Sequence, residues 1–470
     1  MKHRNELILL ISVVLLFSVF TSCQSISDLP QATEHQHTYG EWKIESGATC
    51  IEPGVKYRVC SICKDKQSEK FAATSHDFQN HICNLCATEA NAYWYDENES
   101  EFLVGTIEDL RGIAELVNNG TDFEGKTITL SNDIDLLSRP WIPIGTKDNP
   151  FKGTFDGNGK TLTRLTTDGN VDYEYTGLFG VNAGTVKNLN ISNSTIRLAA
   201  GKYVGCVAGL CIGGNVTNVC ISESKLNLVG DKDSYIGGLV GAATDNSTIE
   251  NCCIIGGTLE IQSAKANMGG LVGMCDSSKL SRSYIDTEQK ISATVASYGG
   301  LVGYNVNGAI SYCYVQNNIN WVIRIADFGG LVGHNKDSTI EESYSRADIS
   351  NNRNYTVITG TVDTSDAVLR PAKKYVGMLV GQNENSTINS CFTRGEAFLT
   401  SSETIFGSII AVADDSKVTN CYYSGHLSVR GEVTETKGIG EETTGSLIRE
   451  NIMGWSEDIW NFDTPMPTLK

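Results

Sequence analysis

The chain has 470 residues and a formal net charge of −18. That balance excludes nucleic acid as a partner, because phosphates would repel it, and excludes electrostatic adhesion to anionic membranes. With 47 glycines, only 8 prolines, 40% hydrophobic and 8% aromatic residues, the composition is that of a folded, β-rich protein and not a disordered one.

Lys2 and Arg4 precede an apolar run, Leu7–Phe20, of signal-peptide length and too short for a membrane span. It closes on Phe20-Thr21-Ser22-Cys23, which resembles a bacterial lipoprotein lipobox with Phe20 as an imperfect first position. The resemblance implies cleavage before Cys23 and lipidation there. Several acyl chains would then tether an exported protein to the cell envelope, with its body at the surface. An ordinary signal peptide that happens to contain Cys23 is the other reading. Residues 1–22 are thus signal and 23–34 a polar linker.

From 35 to 90 the composition turns to cysteine and histidine. Two Cys-x-x-Cys knuckles, Cys60/Cys63 and Cys83/Cys86, can each aim two thiolates at one ion. A tetrahedral zinc needs two further ligands per knuckle. The simplest division is His37, Cys50, Cys60 and Cys63 for one ion, and His76, His81, Cys83 and Cys86 for the other. His35 is an alternative ligand. Eight ligands for two ions leave no open coordination position, so structural zinc is expected and catalytic zinc is not. Disulfides are the competing reading in an exported protein, but five cysteines between Cys50 and Cys86 cannot all pair. The segment is similar to small zinc-ribbon-like repeats of bacterial surface proteins, through His37-Thr38-Tyr39, Trp42, Ala48-Thr49-Cys50, Gly54 and Arg58 to Cys63, with a shortened second copy from His76-Asp77-Phe78.

A linker over 91–104 leads to Thr106-Ile107-Glu108-Asp109, where Thr106 can cap a helix and Asp109 reciprocate, ahead of apolar Leu110, Ile113, Ala114 and Val117. One short capping helix is predicted, followed by strands near 125–130 and 133–136. Together with the first coils they make up a cap over 105–172.

From 173 to 430 one box recurs. GGLVG stands at 237–241, 269–273, 299–303 and 329–333, and degraded copies end at Gly180, Gly209, Gly381 and Ala411. The steps between final residues are 29, 32, 32, 30, 30, 48 and 30. A period near 30 marks a solenoid whose coils bury their apolar faces against one another. Seven positions after each box an apolar residue returns, from Val216 through Leu280, Ile310, Ile340 and Ile388 to Val418, with Val186 and Ile249 displaced by one. Three further on comes a small or apolar column, Leu189, Val219, Cys252, Ser283, Cys313, Ser343, Cys391 and Cys421. Two beyond that stand Ile191, Ile221, Ile254, Ile285 and Val315. These columns read as coil interior, and the cysteines as small hydrophobes.

The boxes, with the preceding Trp141-Ile142-Pro143-Ile144-Gly145 and Phe151 to Gly159 segments and a closing Trp455…Trp460…Pro467-Thr468-Leu469, resemble the GLUG-motif bacterial surface proteins. The resemblance runs from about Thr106 to the end and implies an all-β fold, a right-handed parallel β-helix, closed by a C-terminal cap over 431–470.

Between the two inner columns an outward row is expected: Tyr284, Tyr314, Tyr344, Phe392 and Tyr422, preceded by Asn190, Cys220 and Cys253. Such rings could stack on sugar faces, or they could stack on one another or lie under a loop. Arg346 and Arg394 share a phase, and the long step between their boxes places an insertion near 351–374 beside them. Carboxylates are less promising. Glu250, Glu341 and Glu342 share a phase several coils apart, Asp245, Asp276, Asp337 and Asp415 fall in turns, and no HExxH, GxSxG or phosphate loop occurs. The expectation is a surface-anchored lipoprotein that binds extracellular glycan or protein. A carbohydrate-active enzyme and a structural spacer are the alternatives.

Overall fold

Each strand of the body lies beside its counterpart one coil on, in parallel register, so a position in the repeat is also a position in space. The computed structural model describes residues 37–470 apart from 50–52, 72–77, 80–81, 84–91, 167–172, 199–200, 231–232, 323–325, 351–373, 400–403, 425–432, 437–440, 443–451, 453–454 and 464–465. The chain separates into two compact units, one of residues up to 44 together with 56–69, the other of 45–55 and 70–470.

In the smaller unit Tyr39 bridges Cys60 in antiparallel fashion. The knuckle that follows is a turn closed by Lys64 N–H donating to Cys60 O at 3.1 Å, with Lys64 in the left-handed region at φ 66°.

The larger unit is a parallel β-solenoid. Helix α1 (Ile107–Asn118) stands at its start. Thr106 Oγ1 accepts from Asp109 N–H at 3.1 Å while Asp109 Oδ2 accepts from Thr106 N–H at 3.0 Å, the reciprocal cap the sequence implied. Leu110, Ile113, Ala114 and Val117 are buried beneath it. Strands Thr127–Leu130 and Ile134–Asp135 follow as expected.

The glycine boxes feed one eight-stranded sheet, from Phe179–Asn182 to Ile410–Asp414. The remaining faces of the coils form a second, larger sheet. Val186, Val216, Ile249, Leu280, Ile310, Ile340, Ile388 and Val418 lie in one continuous register, so the one-residue offsets at Val186 and Ile249 are absorbed in the turns. All but Val418 are buried, and full burial of such a side chain contributes about 1.5–3 kcal/mol.

The cysteine and serine column is buried along its whole length, and the hydrogen bonds explain why the two residues alternate. Ser283 and Ser343 Oγ donate to the carbonyl two residues back at 2.7 Å. Cys252 and Cys313 Sγ do the same at 3.2 Å. The residue just before each member takes positive φ, from 39° at Glu342 to 57° at Tyr312, so the hydroxyl or thiol closes a left-handed corner. Desolvation pushes the Cys252 and Cys313 thiols up to about 12, which leaves them inert. A second left-handed corner follows the box at Asp245, Ser277, Asn307, Asp337, Asn385 and Asp415. Asp276 instead ends its strand, and Ser277 takes the corner expected of the aspartate.

The box glycines have negative φ; their requirement is steric. A Cβ on Gly333 would lie 2.6 Å from Gly303 O and 2.8 Å from Tyr298 C, both backbone atoms of the preceding coil. Beside the box runs a ladder absent from the sequence reading. Asn305 Nδ2 donates to Asn335 Oδ1 at 2.8 Å and Asn335 Nδ2 to Asn383 Oδ1 at 2.7 Å, with all three fully buried.

Cys313→Ser should therefore cost less than about 1.5 kcal/mol and Ile310→Ala about 2–5 kcal/mol in urea unfolding. Gly333→Ala should exceed both in loss of soluble folded protein. Equal tolerance of the glycine and cysteine changes would contradict the close-approach account.

Candidate functional site

In the smaller unit the bridge at Tyr39 and the knuckle turn bring His37, Cys60 and Cys63 together, with their ligand atoms all within 4.8 Å of one another. Cys63 Sγ lies 3.4 Å from His37 Nδ1. Zinc bond lengths of about 2.3 Å to sulfur and 2.1 Å to nitrogen give a tetrahedral edge near 3.6 Å, so two thiols and an imidazole at this spacing fit the metal. Cys60 and Cys63 are thiols and not a disulfide. Tyr39 OH donates to Asp65 Oδ2 at 2.6 Å, and that bond, ahead of desolvation, lifts the phenol to about 12. The Arg58 guanidinium lies over the rings of Tyr39 and Trp42, at 4.9 and 4.7 Å. Of the other expected ligands, Cys50, His76, His81 and Cys86 lie outside the described residues, as does Cys23. Cys83 is described only as backbone, in the hairpin of Phe78–Gln79 and Ile82–Cys83.

The aromatic row forms as a row and not as an exposed one. Tyr284, Tyr314, Tyr344, Phe392 and Tyr422 stand in register. Successive rings from Tyr284 to Phe392 stack at centroid distances of 4.6, 4.9 and 4.6 Å. Over them lies the C-terminal segment: Ile452, Trp455, Trp460 and Met466 form one cluster with Tyr314, Tyr344 and Phe392, all buried. Tyr344 is 0% exposed, and its hydroxyl donates to Pro467 O at 2.7 Å. Tyr284 and Tyr422 are half-buried at the two ends. The expectation of open rings for sugar stacking is corrected here, because the closing segment occupies their outward side. Ser456 N–H donates to Glu342 Oε2 at 3.0 Å, and burial raises the Glu342 carboxyl despite that bond.

Arg346 and Arg394 do come together. They line one open cavity of about 510 Å³. The column holding them runs from Asp286 through Gln316 to Arg346 in direct register. The corners beside it contribute Asn317 and Asn318, then Asp348, then Gly395 and Glu396. Two of the three carboxylates are already engaged. Asp348 Oδ1 accepts from Glu396 N–H at 2.8 Å and Asp286 Oδ1 from Asn317 Nδ2 at 3.1 Å. Arg346 Nη1 reaches Gln316 Oε1 only at 3.5 Å, and among the described residues neither guanidinium is held in an ion pair. The insertion expected at 351–374 leaves the scaffold after Ser350 and returns at Lys374, and 351–373 lie outside the described residues.

Three groupings escaped the sequence reading. Tyr175, Tyr203 and Tyr235 form a second, half-exposed ring stack at 5.1 and 5.3 Å, packed against Val181, Leu210 and Ala242. Their position five or six residues before the end of each box is the signal that would have found them. His334 stands between two carboxylates, its Nδ1 3.4 Å from Asp327 and its Nε2 3.6 Å from Glu384, and Glu384 also pairs with Lys336 at 2.7 Å. Cys220 and Cys253, neighbours in register, are joined by a disulfide. Glu250 and Glu341 share a column through Ser281 and Ser311, whereas Glu342 occupies the corner after it.

The GLUG motif matches residues 233–252 and 295–320. Halomucin of Haloquadratum walsbyi is 32% identical over 133 residues, 27% of this chain and 1% of that protein. A protein of Evansella cellulosilytica, named as a Gly-rich membrane protein, is 33% identical over 123 residues, 24% of this chain and 13% of its own length. The chain thus spans only a small part of these relatives. Among solved structures, one named for an immunoglobulin A1 protease of Bacteroides ovatus has a TM-score of 0.40 at 14% identity, covering 81% of this chain and 94% of that one. Another, named IgA1 protease, has a TM-score of 0.37 at 12% identity, covering 92% and 29%.

Because the Glu342 carboxyl is raised in the folded state, that state holds the proton to higher pH than the unfolded chain does. Stability from this group is therefore fully present below its unfolded value and is lost as pH rises through the folded one. Docking of the C-terminal segment should tighten as pH falls through the raised folded-state value toward the ordinary carboxylate range, read as slower proteolysis near Trp455 or as Trp455 and Trp460 fluorescence. Glu342→Gln should flatten the profile, and an unchanged slope in that variant would remove Glu342 as its source.

Proposed function

We propose that this is an exported, envelope-attached surface protein whose solenoid carries a binding cleft for extracellular glycan or protein, an adhesion role. The observation that carries the reading is the cavity at Arg346 and Arg394, built from successive coils around two guanidiniums with no ion-pair partner among the described residues. Attachment falls to Cys23 through lipidation, as its lipobox-like setting implies. The Cys220–Cys253 disulfide suits an oxidising compartment outside the cytosol. The GLUG motif and the names of Halomucin and the Gly-rich membrane protein point the same way. The head is a zinc-stabilised module in which His37, Cys60 and Cys63 hold one ion with Cys50, and His76, His81, Cys83 and Cys86 hold a second. Zinc there supplies folding energy and no chemistry, since closed four-ligand sites leave no position for water.

Two measurements test this. The chain from Cys23 onward, displayed on arrays of glycans and extracellular matrix proteins, should bind a defined subset. The double change Arg346→Ala with Arg394→Ala should weaken that binding by about tenfold or more, the scale of one lost charged hydrogen bond. Silence on both arrays, or binding indifferent to the change, removes the cleft as the address. Elemental analysis of the same chain should return about two zinc ions, falling by about one in Cys60→Ser. A metal-free folded protein would refute the zinc assignment.

A further inference from the structure

We infer that the Arg346/Arg394 cleft takes a saccharide bearing a carboxylate, with a hexuronic acid residue as the simplest such unit; this deepens the binding reading above and rests on it. All nine of the described residues that line the cavity are polar or glycine, with no aliphatic or aromatic side chain among them. A protein ligand anchors through buried aromatic or aliphatic side chains and needs apolar pockets to receive them. Among the described residues this cavity has none. A polyhydroxylated ligand needs amides and carboxylates that exchange hydrogen bonds with many hydroxyls, and Gln316, Asn317, Asn318 and Glu396 offer those groups.

The charges refine the class. Asp348 and Asp286 use an oxygen each to hold the corners of the cleft, one on Glu396 N–H and one on the Asn317 amide. Both line the cavity, yet no ion pair joins either to Arg346 or Arg394. Two guanidiniums from successive coils thus face one cavity without an ion-pair partner among the described residues, in a chain whose net charge is −18. A guanidinium fork matches the two coplanar oxygens of a carboxylate. The volume of about 510 Å³ lies within the range of small-ligand sites. An acid group on the arginine side and hydroxyls on the amide side therefore satisfy the whole lining.

The test is titration calorimetry of the chain from Cys23 onward with oligomers of glucuronate and galacturonate, the matching neutral glucose and galactose oligomers, and sulfated oligomers of the same backbone. Uronate oligomers should bind at least tenfold more tightly than neutral or sulfated ones. Arg346→Gln and Arg394→Gln should each cost about tenfold. Arg394→Lys should recover little, because the fork and not the charge alone is used. Unchanged melting temperatures keep folding apart from binding. Tighter binding of neutral or sulfated sugars overturns the carboxylate assignment while leaving the cleft in place. Uronate binding that survives both arginine changes overturns the site. Binding of matrix protein alone, with no sugar bound, overturns the saccharide inference and keeps the broader reading.

Discussion

Close backbone approach between coils is the constraint on which the rest depends. At Gly333 there is no space for a methyl group between one coil and the carbonyl of the coil before it. That contact fixes the register of the box sheet, and the turns then carry the same phase around the other faces. Once register is fixed, every position becomes a column. The isoleucines stack into a core, the cysteines and serines close identical corners, and Asn305, Asn335 and Asn383 link into a buried amide ladder. The same geometry that builds the core collects surface residues, so Arg346 and Arg394 meet although 48 residues separate them.

What could be read in advance was whatever obeys the period. The inner columns, the capping helix and the arginine pair all follow from spacing and from single side-chain chemistries. The fate of the aromatic row did not follow, because its cover comes from outside the repeat. Tyr344 is sealed by Pro467, 123 residues away, and nothing in the phase of the tyrosines reports a segment arriving from the chain's end. The alternation of cysteine with serine was legible as smallness but not as a shared hydrogen bond to the carbonyl two residues back. The asparagine ladder was hidden for another reason: a buried amide looks like a surface residue until its partner one coil away is seen.

Donor availability at the cleft depends on commitment more than on count. Three carboxylates and two guanidiniums line it, which on paper favours the anion side. A hydrogen bond from a neutral N–H leaves a carboxylate negative, so Asp286 and Asp348 shape the corners of the opening without cancelling that count. The arginines remain as the unassigned donors. A scaffold that holds its carboxylates on its own turns can present two guanidiniums free of ion pairs among the described residues even where acids outnumber them.

The segment over the aromatic row also changes how the solenoid bears load. A stack of coils that touch only their neighbours unravels from an end, one coil at a time. Trp455 and Trp460 lie across the rings of Tyr314, Tyr344 and Phe392, which belong to three consecutive coils. None of the three can peel away alone without tearing the others from the indoles. Further up, the bond between Cys220 and Cys253 lashes two more coils covalently. A pull along the solenoid axis therefore meets coils joined in two reinforced groups instead of coils that unwind turn by turn.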